Sequence, residues 1–166
     1  MRPNRPRLSE KQYFRRRRYS LTFCTAERRQ IFTQQTVVDL ALSQISRAGR
    51  EREFSVIAYC FMPDHVHLLV QSMSPSCSLE KFVHAAKQYS GFAYAKHTGQ
   101  QLWQHSYFDH ALRDDESIGR AVRYILGNPI RAGLVQRVDE YPFSGSEIYT
   151  MSDLLQFVNS HPVRRP

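Results

Sequence analysis

The chain has no apolar run approaching the ~18 residues of a membrane-spanning helix, so no helical membrane anchor is expected. Cysteine is scarce: Cys24, Cys60 and Cys77 form no C-x-x-C pair. An odd, scattered set argues against a disulfide framework and fits a reducing cytoplasm. No G-x-x-x-x-G-K-[ST] loop is present, so nothing marks the chain as driven by a nucleoside triphosphate. Tyr19 to Cys24 is too short and too polar to be the apolar stretch of a signal peptide. Repeats, low-complexity tracts and long Pro/Gly/Ser linkers are also missing, and 166 residues read as one domain.

Net charge is scarce outside one place. Residues 1–18 hold eight Lys and Arg against Glu10 alone, so this arm carries +7 of the net +8 and the rest of the chain only +1. A compact arginine cluster attracts a polyanion and makes its binding salt-dependent. Arg15, Arg16, Arg17 and Arg18 adjoin the first strand and are the candidate nucleic-acid contacts. The chain therefore divides into a basic arm (1–18), a folded body (19–150) and a C-terminal tail (151–166). An apolar fraction of 42% is enough to give that body a core.

Tyr19 to Cys24 alternates as a strand with Tyr19, Leu21 and Phe23 on one face. Residues 34–48 carry a helical stripe of Val38, Ala41, Leu42 and Ile45, with Gly49 as a stop. Phe54 to Met62 reads as a second strand, joined through the Pro63-Asp64 turn to a third. A second helix is expected over 78–97, a fourth strand over 107–113, and a short helix near 152–159. The resulting order predicts an α+β fold: a ferredoxin-like, RRM-like βαββαβ antiparallel sheet with helices on one face. An extra helix, starting near Asp114 or Asp115 and stopping at Asn128 before Pro129, carries Tyr124.

The third strand holds the chemistry. In Met62-Pro63-Asp64-His65-Val66-His67-Leu68-Leu69-Val70, the two-residue period sends Val66, Leu68 and Val70 to a core and His65 and His67 to the other face. Two imidazoles on one rigid strand make a pre-formed pair of nitrogen ligands. On the extra helix, Ile118, Val122 and Ile125 should pack on the sheet, with Tyr124 and Asn128, one turn apart, at its edge. Two imidazoles and one amide give three metal ligands, and a nearby tyrosine can serve as a covalent nucleophile. Asp109 and His110 on the fourth strand are the other residues expected near this site.

The segment 62–69 resembles the signature of the single-tyrosine HUH transposases (IS200-like). Leu102-Trp103-Gln104, Tyr107-Phe108-Asp109, Leu112-Arg113, Tyr124-Ile125-Leu126-Gly127-Asn128-Pro129-Ile130-Arg131-Ala132-Gly133-Leu134-Val135 and Tyr141-Pro142-Phe143-Ser144-Gly145-Ser146 are similar to their REP-associated branch. The resemblance spans roughly residues 13 to 149. It implies that His65, His67 and Asn128 hold a divalent metal, magnesium or manganese, and that Tyr124 is the nucleophile. It implies a metal-dependent endonuclease and strand transferase acting on single-stranded DNA hairpins such as REP sequences through a 5′-phosphotyrosine. Relatives of this kind suggest a cytoplasmic monomer or a homodimer, some with exchanged tyrosine helices. Three other readings use the same residues. One is a non-catalytic nucleic-acid-binding module stacking bases on Phe23 and Tyr59. The others are a structural zinc site of Cys60, His65 and His67, and a replication initiator or relaxase.

Overall fold

The computed structural model describes residues 16–113 and 118–160. Strand β1 (Arg18–Cys24) is followed by helix α1 (Gln35–Arg52), the hairpin β2 (Phe54–Met62) and β3 (His65–Ser72), and helix α2 (Leu79–Thr98). Then come β4 (Phe108–Ala111), α3 (Ile118–Leu126), the single turn α4 (Asn128–Arg131), β5 (Ser144–Gly145) and α5 (Met151–Asn159). The strands form one antiparallel sheet in the order β4-β1-β3-β2-β5. Its first four members follow the expected ferredoxin-like arrangement.

Each face of the sheet has its own core, because alternation divides every strand between them. Leu21, Phe23, Val66, Leu68 and Val70 are fully buried beneath α1 and α2, where Ile45, Phe82 and Ala86 meet them. Ala58, Cys60 and Leu69 point the other way and pack with Val122, Ile125 and Leu126 of α3. Burying each of the three α3 side chains is worth roughly 1.5–3 kcal/mol, which fixes this nine-residue helix on the sheet. Residues 151–159 contribute Leu154, fully buried in the same second core. Among the described residues no helix is long and apolar enough to cross a membrane.

The structure departs from local expectation at several points. The fourth strand is confined to Phe108–Ala111, and a short β5 pairs with β2 at the opposite edge. Helix α3 ends at Leu126 rather than Asn128. Pro129 does not terminate a helix but sits in the first turn of α4, where its missing N–H costs nothing. The start expected near Asp114 or Asp115 lies outside the described residues.

Helix α1 runs through Gly49 to Arg52, and Glu53 takes the left-handed cap at φ 57. Gly49 is a packing glycine: a Cβ there would lie 2.7 Å from the carbonyl oxygen of Phe54. In a free helix Gly→Ala gains up to ~1 kcal/mol. Here Gly49→Ala should instead destabilise by about 1–3 kcal/mol, since backbone must move to admit the methyl. Thermal melting checks the sign, and a raised Tm would refute the close approach.

Candidate active site

His65 and His67 open β3 on the α3 side of the sheet, while Val66 between them is buried in the opposite core. Their Nε2 atoms lie 3.1 Å apart. Each remaining ring nitrogen has a fixed partner. Asp64 Oδ1 accepts from His65 Nδ1 at 2.6 Å, and Thr22 Oγ1 is 3.0 Å from His67 Nδ1. Thr22 reaches His67 because the β1–β3 register sets them opposite each other. Asp64 is itself held by Arg28, whose Nε lies 2.9 Å from Oδ2. Arg28 and Glu27 stand at φ 55 and 56, left-handed values that cost non-glycine residues of order 1–3 kcal/mol and recur at functional sites.

This donor set fits a metal ion. Two nitrogen ligands about 2.1 Å from one cation and roughly at right angles are about 3 Å apart, which matches the Nε2 pair. Both Nδ1 atoms are engaged by Asp64 and Thr22, the outer arrangement that orients metal-binding imidazoles. No group of three or more His, Cys, Asp and Glu side chains suited to a metal occurs among the described residues. A zinc site of Cys60, His65 and His67 is therefore not supported. Burial also pushes the Cys60 thiol up to about 12, whereas zinc takes the thiolate.

Burial, aided by neighbouring His65 and Arg131, lowers the His67 imidazole to about 4. His67 is thus neutral, the form that ligates, throughout the physiological range. The sign for stability follows from linkage. Below 6.5 the unfolded chain binds a proton that folded His67 refuses. This contribution is fully present above 6.5 and is lost as pH falls to about 4, by up to about 3 kcal/mol. The His67 ring resonances should titrate near 4 in NMR spectra of the metal-free protein; a midpoint near 6.5 would contradict the burial argument.

Helix α3 brings Tyr124 over this pair. Its ring centroid is 6.4 Å from that of His67, edge to face, yet the side chain is 57% exposed. The phenol is therefore within the histidine neighbourhood and open to a substrate. Asn128 donates Nδ2 to the carbonyls of Tyr124 (3.2 Å) and Ile125 (3.1 Å). Those acceptors require the amide nitrogen, so Oδ1 is the atom left for a cation. Arg131 lays its guanidinium over the Tyr124 ring at 4.5 Å and donates to the Tyr124 carbonyl at 2.5 Å. Gly127 leaves the room: a Cβ there would fall 2.9 Å from Arg131 Nη1.

The structure thus unites His65, His67 and Tyr124 on one face of a single subunit, with Asn128 one turn beyond. Arg15 lies outside the described residues. Arg16 is exposed, while Arg17 donates to the carbonyls of Pro75 and Cys77 and Arg18 to Gln71 Oε1. His110 lies opposite Ser20, two residues from Thr22 and on the histidine face. Asp109 lies opposite Leu21 and so belongs to the other face. Phe23 is fully buried and the Tyr59 hydroxyl sits against Gly145, so neither presents a stacking surface. Sequence reasoning missed Thr22, Arg28 and Arg131. Asp64 it read only as a turn residue, although a carboxylate beside a ligand-type histidine was a signal for a second role.

Sequence and fold both match known proteins. Residues 14–128 match the family model described as "Transposase IS200 like". The chain is 28% identical over 104 residues to a Haemophilus influenzae protein assigned to the REP-associated tyrosine transposases, covering 55% of this chain and 58% of the relative. It is 27% identical over 101 residues to the Escherichia coli REP-associated tyrosine transposase, covering 60% and 59%. It thus spans about three-fifths of each of these curated relatives. The fold matches a REP-associated tyrosine transposase solved bound to a REP hairpin, with TM-score 0.66 and 23% identity over 87% of this chain and 82% of that one. A Deinococcus radiodurans protein assigned as a transposase aligns with TM-score 0.54 and 23% identity over 85% and 98%. Since the family match runs from residue 14 across the sheet and α3 to Asn128, well over half the sequence, the chain belongs to the IS200-like transposase family.

Proposed function

We propose that this protein is a metal-dependent endonuclease and strand transferase for single-stranded DNA, acting on hairpin-bearing, REP-type sequences through a covalent 5′-phosphotyrosine. The observation that carries this reading is the approach of Tyr124 to His67 within one subunit, at 6.4 Å between ring centroids. His65 and His67 would hold a divalent cation, magnesium or manganese, with Asn128 Oδ1 as a third ligand. Two imidazoles favour manganese over magnesium, which prefers oxygen. When bound, the cation supplies Lewis-acid polarisation of the scissile phosphate.

This chain's own residues do the rest. Asp64 and Thr22 hold the imidazoles in the ligating tautomer. The Tyr124 phenol oxygen attacks phosphorus and gives up its proton; the P–O3′ bond breaks and the leaving oxygen ends as a free 3′-OH. The phosphodiester energy is conserved in the tyrosine ester, so rejoining reverses the step without a nucleotide cofactor. Arg131, stacked on Tyr124, adds positive charge where the phosphate must sit. Arg15 to Arg18 would take backbone phosphates flanking the site. One subunit carries both histidines and tyrosine, so the proposed site needs no exchange of helices in a dimer.

The direct test is incubation with a labelled hairpin oligonucleotide and manganese. A protein–DNA adduct that survives denaturation, and is absent with chelator, is the expected result. DNA binding with no adduct under any metal would favour a non-catalytic binding module instead.

A further inference from the structure

The histidine face continues past Thr22 onto the edge strand, and there it carries an aromatic that the site above does not use. Thr22 lies between two partners in the sheet, His67 on β3 and Phe108 on β4. Directly opposed residues share a face, so Phe108 stands on the same side as His67. Its neighbour Tyr107 confirms the alternation, packing edge-to-face on Phe23 in the helix-side core. Strands are 4.7–4.9 Å apart, which puts Phe108 about 10 Å from His67, within reach of one to two nucleotides. Phe108 is 67% exposed, so its ring is open to a stacking partner.

Further along the same two strands lies a cleft of about 220 Å³ lined by Arg16, Arg17, Arg18 and Arg113 beside Tyr19, Ala111 and Leu112, and none of the described residues lining it is acidic. Arg18 is four residues from Thr22 along β1, about 13 Å. An aromatic platform next to an arginine-lined channel is the combination that holds single-stranded nucleic acid: bases stack, and phosphates meet cations.

Resting on the function proposed above, we propose that β1 and β4 form a track for the single strand flanking the scissile phosphate. One base stacks on Phe108 and the adjoining backbone runs along β1 into the cleft, past Arg18 to Arg16, which share the face of Thr22. The occupant is a nucleic acid strand rather than another protein because four of the seven described residues lining the cleft that adjoins the platform are arginines and none of those seven is acidic. Stacking is sequence-tolerant, so Phe108 sets where the strand lies rather than which base it carries.

The test uses the full chain with Tyr124→Phe, so that DNA stays intact, and a hairpin oligonucleotide whose single-stranded flank carries 2-aminopurine at successive positions. Emission at one position should be quenched, and Phe108→Ala should abolish that quenching and weaken binding about 5- to 100-fold. Phe108→Trp should retain both, whereas Phe108→Leu, apolar but without a π face, should resemble alanine. Arg16→Ala should lower the salt slope of binding by about 0.7, one phosphate's share on a single strand. A hairpin without a flank should bind all variants alike. Undiminished quenching and affinity in Phe108→Ala would overturn the platform while leaving the nuclease reading intact. So would a change of oligomeric state in sedimentation with DNA binding unchanged, which would make β4 an interface between copies. A parent chain that binds neither oligonucleotide defeats both readings.

Discussion

Tyr124→Phe should leave a hairpin oligonucleotide bound and uncut. The substitution removes one oxygen and keeps the ring that stacks under Arg131 and meets His67 edge-on. The side chain is mostly exposed, so folding should be unaffected and affinity should stay within about threefold. Cleavage should fall by at least about 1,000-fold, the scale on which loss of an attacking group acts, and the denaturation-resistant adduct should vanish. The measurement is paired: gel analysis of product and adduct, with anisotropy on the same samples. Wild-type rates in this variant would remove Tyr124 from the chemistry, and another hydroxyl would have to be sought.

His67→Ala and His65→Ala should abolish metal-dependent cleavage by a different route. Each removes one of two nitrogens that converge at 3.1 Å, so a bound cation loses one of its proposed ligands. Manganese affinity by calorimetry should drop by more than the 10- to 100-fold typical of losing an outer-sphere partner, and cleavage should drop with it. Asp64→Asn supplies the graded comparison: it leaves both imidazoles and should cost only about 10- to 100-fold in affinity. His67→Ala should not unfold the protein. It removes a desolvated imidazole whose protonation opposes folding below 6.5, so the variant should hold its stability better than wild type as pH falls towards 4. Undiminished metal binding in both alanine variants would defeat the assignment of the pair.

Much of this was legible in sequence, for a local reason. A two-residue period puts His65 and His67 on one face and Val66, Leu68 and Val70 on the other, whatever the strand pairs with. A helical period places Val122 and Ile125 inward and sets Asn128 one turn from Tyr124. The same local logic misjudged Gly49, which lies inside α1 as a packing residue, since a Cβ there would come within 2.7 Å of the Phe54 carbonyl oxygen. It misjudged Pro129 too, because a proline that ends one helix can equally begin another.

Tertiary structure decided the rest. No periodicity says that Thr22, 45 residues away, lies against His67 Nδ1. That depends on strand register, and a slip of one residue would turn the threonine to the other face. Nor could the sequence say that Arg131 folds back over Tyr124, or that Phe108 lies on the same side as the histidines. The proposed ligands and the proposed nucleophile were inscribed in short-range pattern. Their convergence was set by which buried surfaces the sheet offers on each side, a property of the whole chain.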